Sequence, residues 1–171
     1  MIYSIGHSVH PIDVFLDLLA PFEIRRLADV RSIPASRRHP QFCRAPLAAA
    51  LLERGVEYVH MPALGGRRTP RADSINGGLR NPSYRGYADH MQSDEFARAL
   101  EQLIGSSRQS ATVIMCAELR YADCHRQLLA DALLVRSVPV LHIVPGTPPK
   151  RHCLSEFARP EARKVSYPGL V

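Results

Sequence analysis

The sequence predicts an α/β protein: one domain with a mostly parallel five-stranded sheet and helices on both faces, doubly wound in the Rossmann-like manner. Short apolar segments alternate with helical periodicities along the chain, and uninterrupted apolar runs belong to strands buried on both faces. At 171 residues the chain can bury one core without staples. Five strands favour an open sheet over an eight-stranded barrel.

The strands are expected at 2–6, 26–31, 56–61, 111–116 and 138–144. Pro11 suits the first turn of a helix whose apolar face is Phe15, Leu18, Leu19 and Phe22. Residues 46–54 follow, with Leu47 and Leu51 inward and Gly55 as the stop. A third helix carries Phe96, Leu100, Leu103 and Ile104, capped by Ser93 and closing near Gly105. The fourth runs from about Cys124 to Arg136, with Asp123 as its N-cap. Residues 1–146 form the α/β domain. Residues 147–171, with Pro148, Pro149, Pro160 and Pro168, are expected to pack on it as an irregular tail.

Composition narrows the classes. The hydrophobic fraction of 46% is that of a globular protein. No apolar run approaches the ~18 residues of a membrane span, and the first residues enter a strand pattern with no basic leader. Four cysteines, Cys43, Cys116, Cys124 and Cys153, suggest reduced thiols and a cytoplasmic location over a disulfide scaffold.

The net charge of +6 is unevenly placed. Segments 31–44 and 65–86 hold nine arginines against one acid, Asp73, while the rest of the chain is slightly acidic. Arginine's planar fork suits bidentate contacts to phosphate or carboxylate. The partner this implies is an anionic small molecule or nucleotide. Nucleic acid remains the alternative, resting on charge alone. Nothing in the chain sets an oligomeric state.

In an open parallel sheet, ligands bind outside the carboxyl ends of the strands. Here those ends carry polar residues: Gly6-His7-Ser8, Asp29-Val30-Arg31-Ser32, Leu64-Gly65-Gly66-Arg67 and Cys116-Ala117-Glu118. The fourth strand is followed by Asp123-Cys124-His125-Arg126 at a predicted helix start, where amides and dipole favour anions and lower a thiol's pKa. Cys124 or Cys116 is thus a candidate nucleophile or metal ligand, and Glu118 or His125 a candidate acid or base. No cofactor is required. Zinc would take Cys116, Cys124 and His125 as its candidate ligands. A buried structural cysteine beside a helix-starting segment is the plain alternative. Adjacent helical residues diverge, which weighs against Cys124 and His125 sharing a target.

Around that centre the expected ligand contacts are His7, Ser8, Asp29, Arg31, Ser36, Gly65, Gly66, Arg67, Tyr87 and Arg126. Arg31 and Arg126 would grip the anion. Asp29 also reads as an ion-pair partner that organises the following loop. Tyr84 and Tyr87 either stack on a base or pin the 65–86 loop to the body.

Ile-Gly-His-Ser near the start, Leu-Ala-Asp-Val-Arg-Ser-Ile-Pro-x-Ser, Leu-Gly-Gly and Cys-x-Glu-x5-Cys-His-Arg together resemble the domain of unknown function 488 family over roughly residues 2 to 145. The resemblance implies an α/β fold and a shared site, without an established activity. A weaker, partial similarity is to rhodanese-like domains, through Asp29-Val30-Arg31 and Cys116. It departs where Ala117-Glu118-Leu119 replaces an anion-cradling cysteine loop. Cys-x-Glu also departs from the zinc deaminase pattern, because the Pro-Cys-x-x-Cys pair is missing. The function expected is an enzyme acting on a phosphate-bearing or nucleotide-like ligand. The rival is a non-catalytic nucleic-acid-binding module using loops 31–44 and 65–86.

Overall fold

The computed structural model describes residues 1–169. All five predicted strands occur: β1 Ile2–Gly6, β2 Arg26–Asp29, β3 Glu57–His60, β4 Thr112–Cys116 and β5 Val140–His142. They pair in parallel, and a short β6, Lys150–Arg151, adds antiparallel to β5. The sheet therefore has six strands, in the order β3-β2-β4-β1-β5-β6, where five were expected. β4 lies between β2 and β1, so the strand order differs from the 3-2-1-4-5 of a Rossmann sheet.

Among the described residues, five α-helices cover the sheet. α1 Ile12–Leu19 and α2 Arg44–Glu53 pack Phe15, Leu19, Leu47 and Leu51 with Ile5, Leu27, Val113 and Met115 on one face. α3 Pro82–His90, α4 Asp94–Gln109 and α5 Arg126–Leu134 pack with Ile2, Ala28, Ile114 and Val140 on the other. Successive strand residues point to opposite faces, and each face found an apolar cover.

α3 is the element the sequence hid. Gly86 and a polar composition masked it inside the 65–86 segment. Yet Asn81 caps it by accepting from the Ser83 amide at 2.9 Å, and Pro82 opens it. Gly86 is required by proximity: a Cβ there would lie 2.4 Å from the Arg68 carbonyl oxygen. α4 begins at the predicted Ser93 cap but runs through Gly105 to Gln109. Gly105 sits in open space, and a glycine there lowers helix propensity without ending the helix.

α5 starts two residues later than expected. Tyr121–Asp123 form a 3₁₀ turn, Cys124 is extended, and His125 holds the cap position without a side-chain cap bond. Asp123 pairs with Arg120 at 3.3 Å instead of capping the helix. Cys124 therefore lies outside the helix.

The tail is more ordered than expected. Besides β6 it forms a hairpin of β7 Arg159–Glu161 and β8 Lys164–Ser166. A two-stranded ribbon tolerates Pro160 because its edges need no full ladder. Buried Asp131 of α5 ties the tail down: it accepts from His152 Nε2 at 2.8 Å, the Tyr167 hydroxyl at 2.8 Å and the Ser155 amide at 3.1 Å. His152 is then left with Nδ1 as an acceptor, and His142 Nε2 donates to it at 3.0 Å.

Registers align the strand ends. Gly6 pairs with Cys116 and Asp29 with Met115, so the carboxyl ends of β1, β2 and β4 finish level. Gly6 is indispensable there: a Cβ would sit 1.8 Å from the Glu118 carbonyl oxygen, where the turn after β4 crosses β1. Among the described residues, no helix is long and apolar enough to cross a membrane.

Candidate functional site

A cleft of about 800 Å³ opens over these strand ends. Its lining includes His7 and Ser8 after β1, Arg31 and Ser32 after β2, and Cys116 at the end of β4 with Cys124 and His125 before α5. The loop after β2 adds Ser36, Arg37, Arg38 and His39, and the loop after β3 adds Gly66 and Arg67. Both Arg-rich segments thus contribute to one cleft. Arg37, Arg38 and Arg67 are exposed, and none forms a salt bridge among the described residues.

The innermost feature is three side chains. His125 Nδ1 lies 3.6 Å from Cys124 Sγ and 3.9 Å from Cys116 Sγ. All three ligand atoms fall within 4.8 Å of one another, and all three residues are buried. The extended backbone at Cys124, followed by the turn at His125, converges two adjacent side chains that a continuous helix would have splayed. His125 Nε2 donates to the Val30 carbonyl at 3.1 Å, so the Nδ1 lone pair is the one turned to the sulfurs. The Tyr87 ring meets the imidazole edge-on at 5.0 Å. Gly66 closes over it so tightly that a Cβ would come within 2.4 Å of Nδ1.

The two thiols differ. The hydrogen bond from Cys116 lowers the Cys124 pKa below the ordinary thiol range against the effect of burial, helped by the Arg126 charge. The same bond, together with burial, raises Cys116 well above the ordinary thiol range. Cys124 is therefore the more acidic of the two.

Several expected ligand contacts are already committed elsewhere. Asp29 is fully buried and does not line the cleft. It binds Arg31 Nε at 2.8 Å and Nη2 at 2.5 Å, and accepts from Tyr58 at 2.8 Å. Arg31 also donates to the Phe42 carbonyl at 2.8 Å and to His7 Nε2 at 3.2 Å. Its charge is neutralised by Asp29, though it reaches the cleft wall. His7 uses both nitrogens, since Nδ1 donates to the Ser8 carbonyl at 2.9 Å. Burial, with the Arg31 charge adding to it, lowers the His7 pKa to about 4 despite that bond. His7 is thus a neutral wall residue.

Arg126 is almost wholly buried and does not line the cleft. It donates to Ser4 Oγ at 3.1 Å and to the carbonyls of Glu118 and Leu119, clamping the turn after β4. Its charge instead helps lower the Cys124 pKa. Glu118 is exposed on the cleft lining, with its carboxylate outside the three-residue cluster. The strand ends at Cys116, two residues before Glu118, so strand alternation does not extend to that carboxylate. Tyr87 is fully buried and donates to the Leu64 carbonyl at 3.0 Å. It pins the loop and is closed to a stacking base.

Ser36 lines the cleft and accepts from the His39 amide at 3.1 Å. Ser8 and Arg67 also line it, whereas Gly65 packs beneath, its absent Cβ making room for Ser32 Oγ at 2.4 Å. Arg37, Arg38 and His39 were legible only as part of a basic segment. The Val30 carbonyl, being backbone, left no trace in residue types.

The family model described as "Domain of unknown function DUF488" matches residues 11–133. No curated protein and no solved structure matches the chain.

Proposed function

The chain belongs to the family described as "Domain of unknown function DUF488", and since that description names no activity, we propose one from the site: an enzyme acting on a phosphate-bearing or nucleotide-like ligand in the strand-end cleft. The observation that carries this reading is the convergence of Cys116, Cys124 and His125 on the floor of a cleft edged by Arg37, Arg38 and Arg67. Three arginine forks without carboxylate partners supply charge-assisted donors for an anion. The buried cluster below supplies the reactive centre, which delivers a nucleophile to the bound ligand in a hydrolase or transferase reaction. Exposed Glu118 stands on the cleft wall, where it disfavours a second anion and orders the polar groups of the ligand.

The test pairs binding with turnover, using inorganic phosphate, adenosine mono- and triphosphates and a chromogenic phosphate ester. Arg37→Ala/Arg38→Ala/Arg67→Ala is expected to weaken binding at least about tenfold at low salt, with less loss at high salt. Cys124→Ser and His125→Ala are expected to abolish turnover while the ligand still binds. A different result sinks the proposal: salt-sensitive binding of single-stranded oligonucleotides, lost with the three arginines and indifferent to Cys124 and His125. That protein would be a binding module.

A further inference from the structure

We propose that Cys116 Sγ, Cys124 Sγ and His125 Nδ1 bind one zinc ion whose fourth position opens into the cleft. This rests on reading the cluster as the reactive centre, and it names that centre's cofactor. A tetrahedral ion with ordinary Zn–S and Zn–N bonds would hold sulfur and nitrogen about 3.6 Å apart and two sulfurs about 3.8 Å apart. The sulfurs stand 3.6 and 3.9 Å from Nδ1, with all three atoms inside 4.8 Å. Closing on a metal therefore needs sulfur–nitrogen shifts of a few tenths of an ångström and a sulfur–sulfur shift of no more than about 1 Å.

The surroundings fit the same ligand. A metal-bound imidazole normally donates its other N–H to a carboxylate or a carbonyl, which fixes the tautomer. His125 does so through Nε2 to Val30 at 3.1 Å, leaving Nδ1 as the free donor atom. Two thiolates and an imidazole are a soft set suited to zinc rather than to magnesium or calcium. Two thiolates also balance the ion's charge in a buried place. Among the described residues this is the one group of three or more such side chains close enough to share an ion. With three protein ligands, all lining the cleft, the fourth position is left for water or an oxygen of the bound anion. That is the open arrangement of a catalytic zinc site.

The test is titration of the reduced, metal-stripped full chain with cobalt(II), a spectroscopic stand-in for zinc, followed by zinc displacement. The expected result is about one cobalt per chain, with thiolate charge-transfer absorption and the strong visible bands of a tetrahedral ion, removed by one equivalent of zinc. Cys43→Ser/Cys153→Ser keeps the spectrum, while Cys116→Ser, Cys124→Ser and His125→Ala each lose or alter it. X-ray absorption of the zinc-loaded wild type is expected to count two sulfur ligands, and does not depend on any variant folding. Azide is expected to shift the cobalt bands through the open position.

Failure to bind cobalt overturns the proposal. So does a spectrum lost in Cys43→Ser/Cys153→Ser, a sulfur count other than two, or bands that azide leaves unmoved. The two readings separate cleanly. Phosphate binding and turnover in a chain that takes up no metal refutes the zinc site alone. A cobalt site that responds to azide, in a chain that binds none of the phosphate ligands, refutes the anion-cleft reading alone.

Discussion

His125 donates its Nε2 hydrogen to the carbonyl of Val30, 95 residues earlier in the chain, at 3.1 Å. That bond decides which nitrogen faces the two cysteines. It joins the segment before α5 to the end of β2, and so links two strand ends through one imidazole. The arrangement makes the tautomer a property of the fold.

Gly66 should be intolerant of any side chain, because a Cβ would enter within 2.4 Å of His125 Nδ1. Gly66→Ala is expected to cost about 1–3 kcal/mol, the usual range for overpacking, and to change the alkylation rate of Cys124. Denaturant melts and iodoacetamide kinetics measure the two effects. Wild-type values for both would show that the loop yields without disturbing the imidazole.

Glu118→Gln should leave stability within about 0.5 kcal/mol of wild type, since the side chain is exposed and outside the cysteine–histidine cluster. Removing a negative charge from the cleft wall should also tighten phosphate binding slightly at low salt. Calorimetry in low and high salt checks the sign. Loss of folding on this substitution would assign the carboxylate a structural partner that the geometry does not contain.

Acid should destabilise the protein through its buried histidines. Burial holds His7 down to about 4, with Arg31 adding to the effect. Burial, together with His152 and Arg126, holds His142 down to about 3. A folded pKa below the unfolded value of 6.5 means that the unfolded chain takes up protons first. Stability is therefore fully present above about 6.5 and falls as pH drops toward about 4, by roughly 3 kcal/mol for His7. Urea melts across this window, compared with His7→Gln, test it. A His7 ring proton that titrates near 6.5 by NMR would refute the assignment.

Asp131→Ala should release the tail. The carboxylate accepts from His152, Tyr167 and the Ser155 amide, and its loss strands buried donors at a cost of about 3–5 kcal/mol. Tyr167→Phe, which removes one of these bonds, should cost only about 1–2 kcal/mol. Limited proteolysis should cut Asp131→Ala within 147–169 well before the wild type. Equal cleavage rates would mean that β6 and the hairpin dock without this anchor.

Five strands and four helices were legible because their signals are local: apolar runs for buried strands, Phe15 and Leu19 at helical spacing, Ser93 as a cap. α3 was not, since Gly86 and its polar neighbours weaken propensity while tertiary packing of Tyr87 and Ala88 supplies the stability. In the site, Cys116, Cys124 and His125 stood out by residue type. Asp29 did too, and its ion pair with Arg31 is the loop-organising role read for it, whereas Arg126 is held by internal acceptors. A guanidinium that satisfies three backbone and side-chain acceptors inside the fold looks, in sequence, the same as one that waits for a ligand.

By itself, the sequence determined the α/β class, the family, and the strand-end rim where the polar residues gather. These follow from periodicity and from which residue types end each strand. Tertiary structure alone decided that β4 lies between β2 and β1, that Cys124 leaves the helix to join His125, and that Arg31 and Arg126 are held internally. Those outcomes depend on contacts between segments far apart in the chain, such as His125 with Val30 and Arg126 with Ser4. Which partner satisfies a buried polar group is a property of three-dimensional proximity, and no local pattern encodes it.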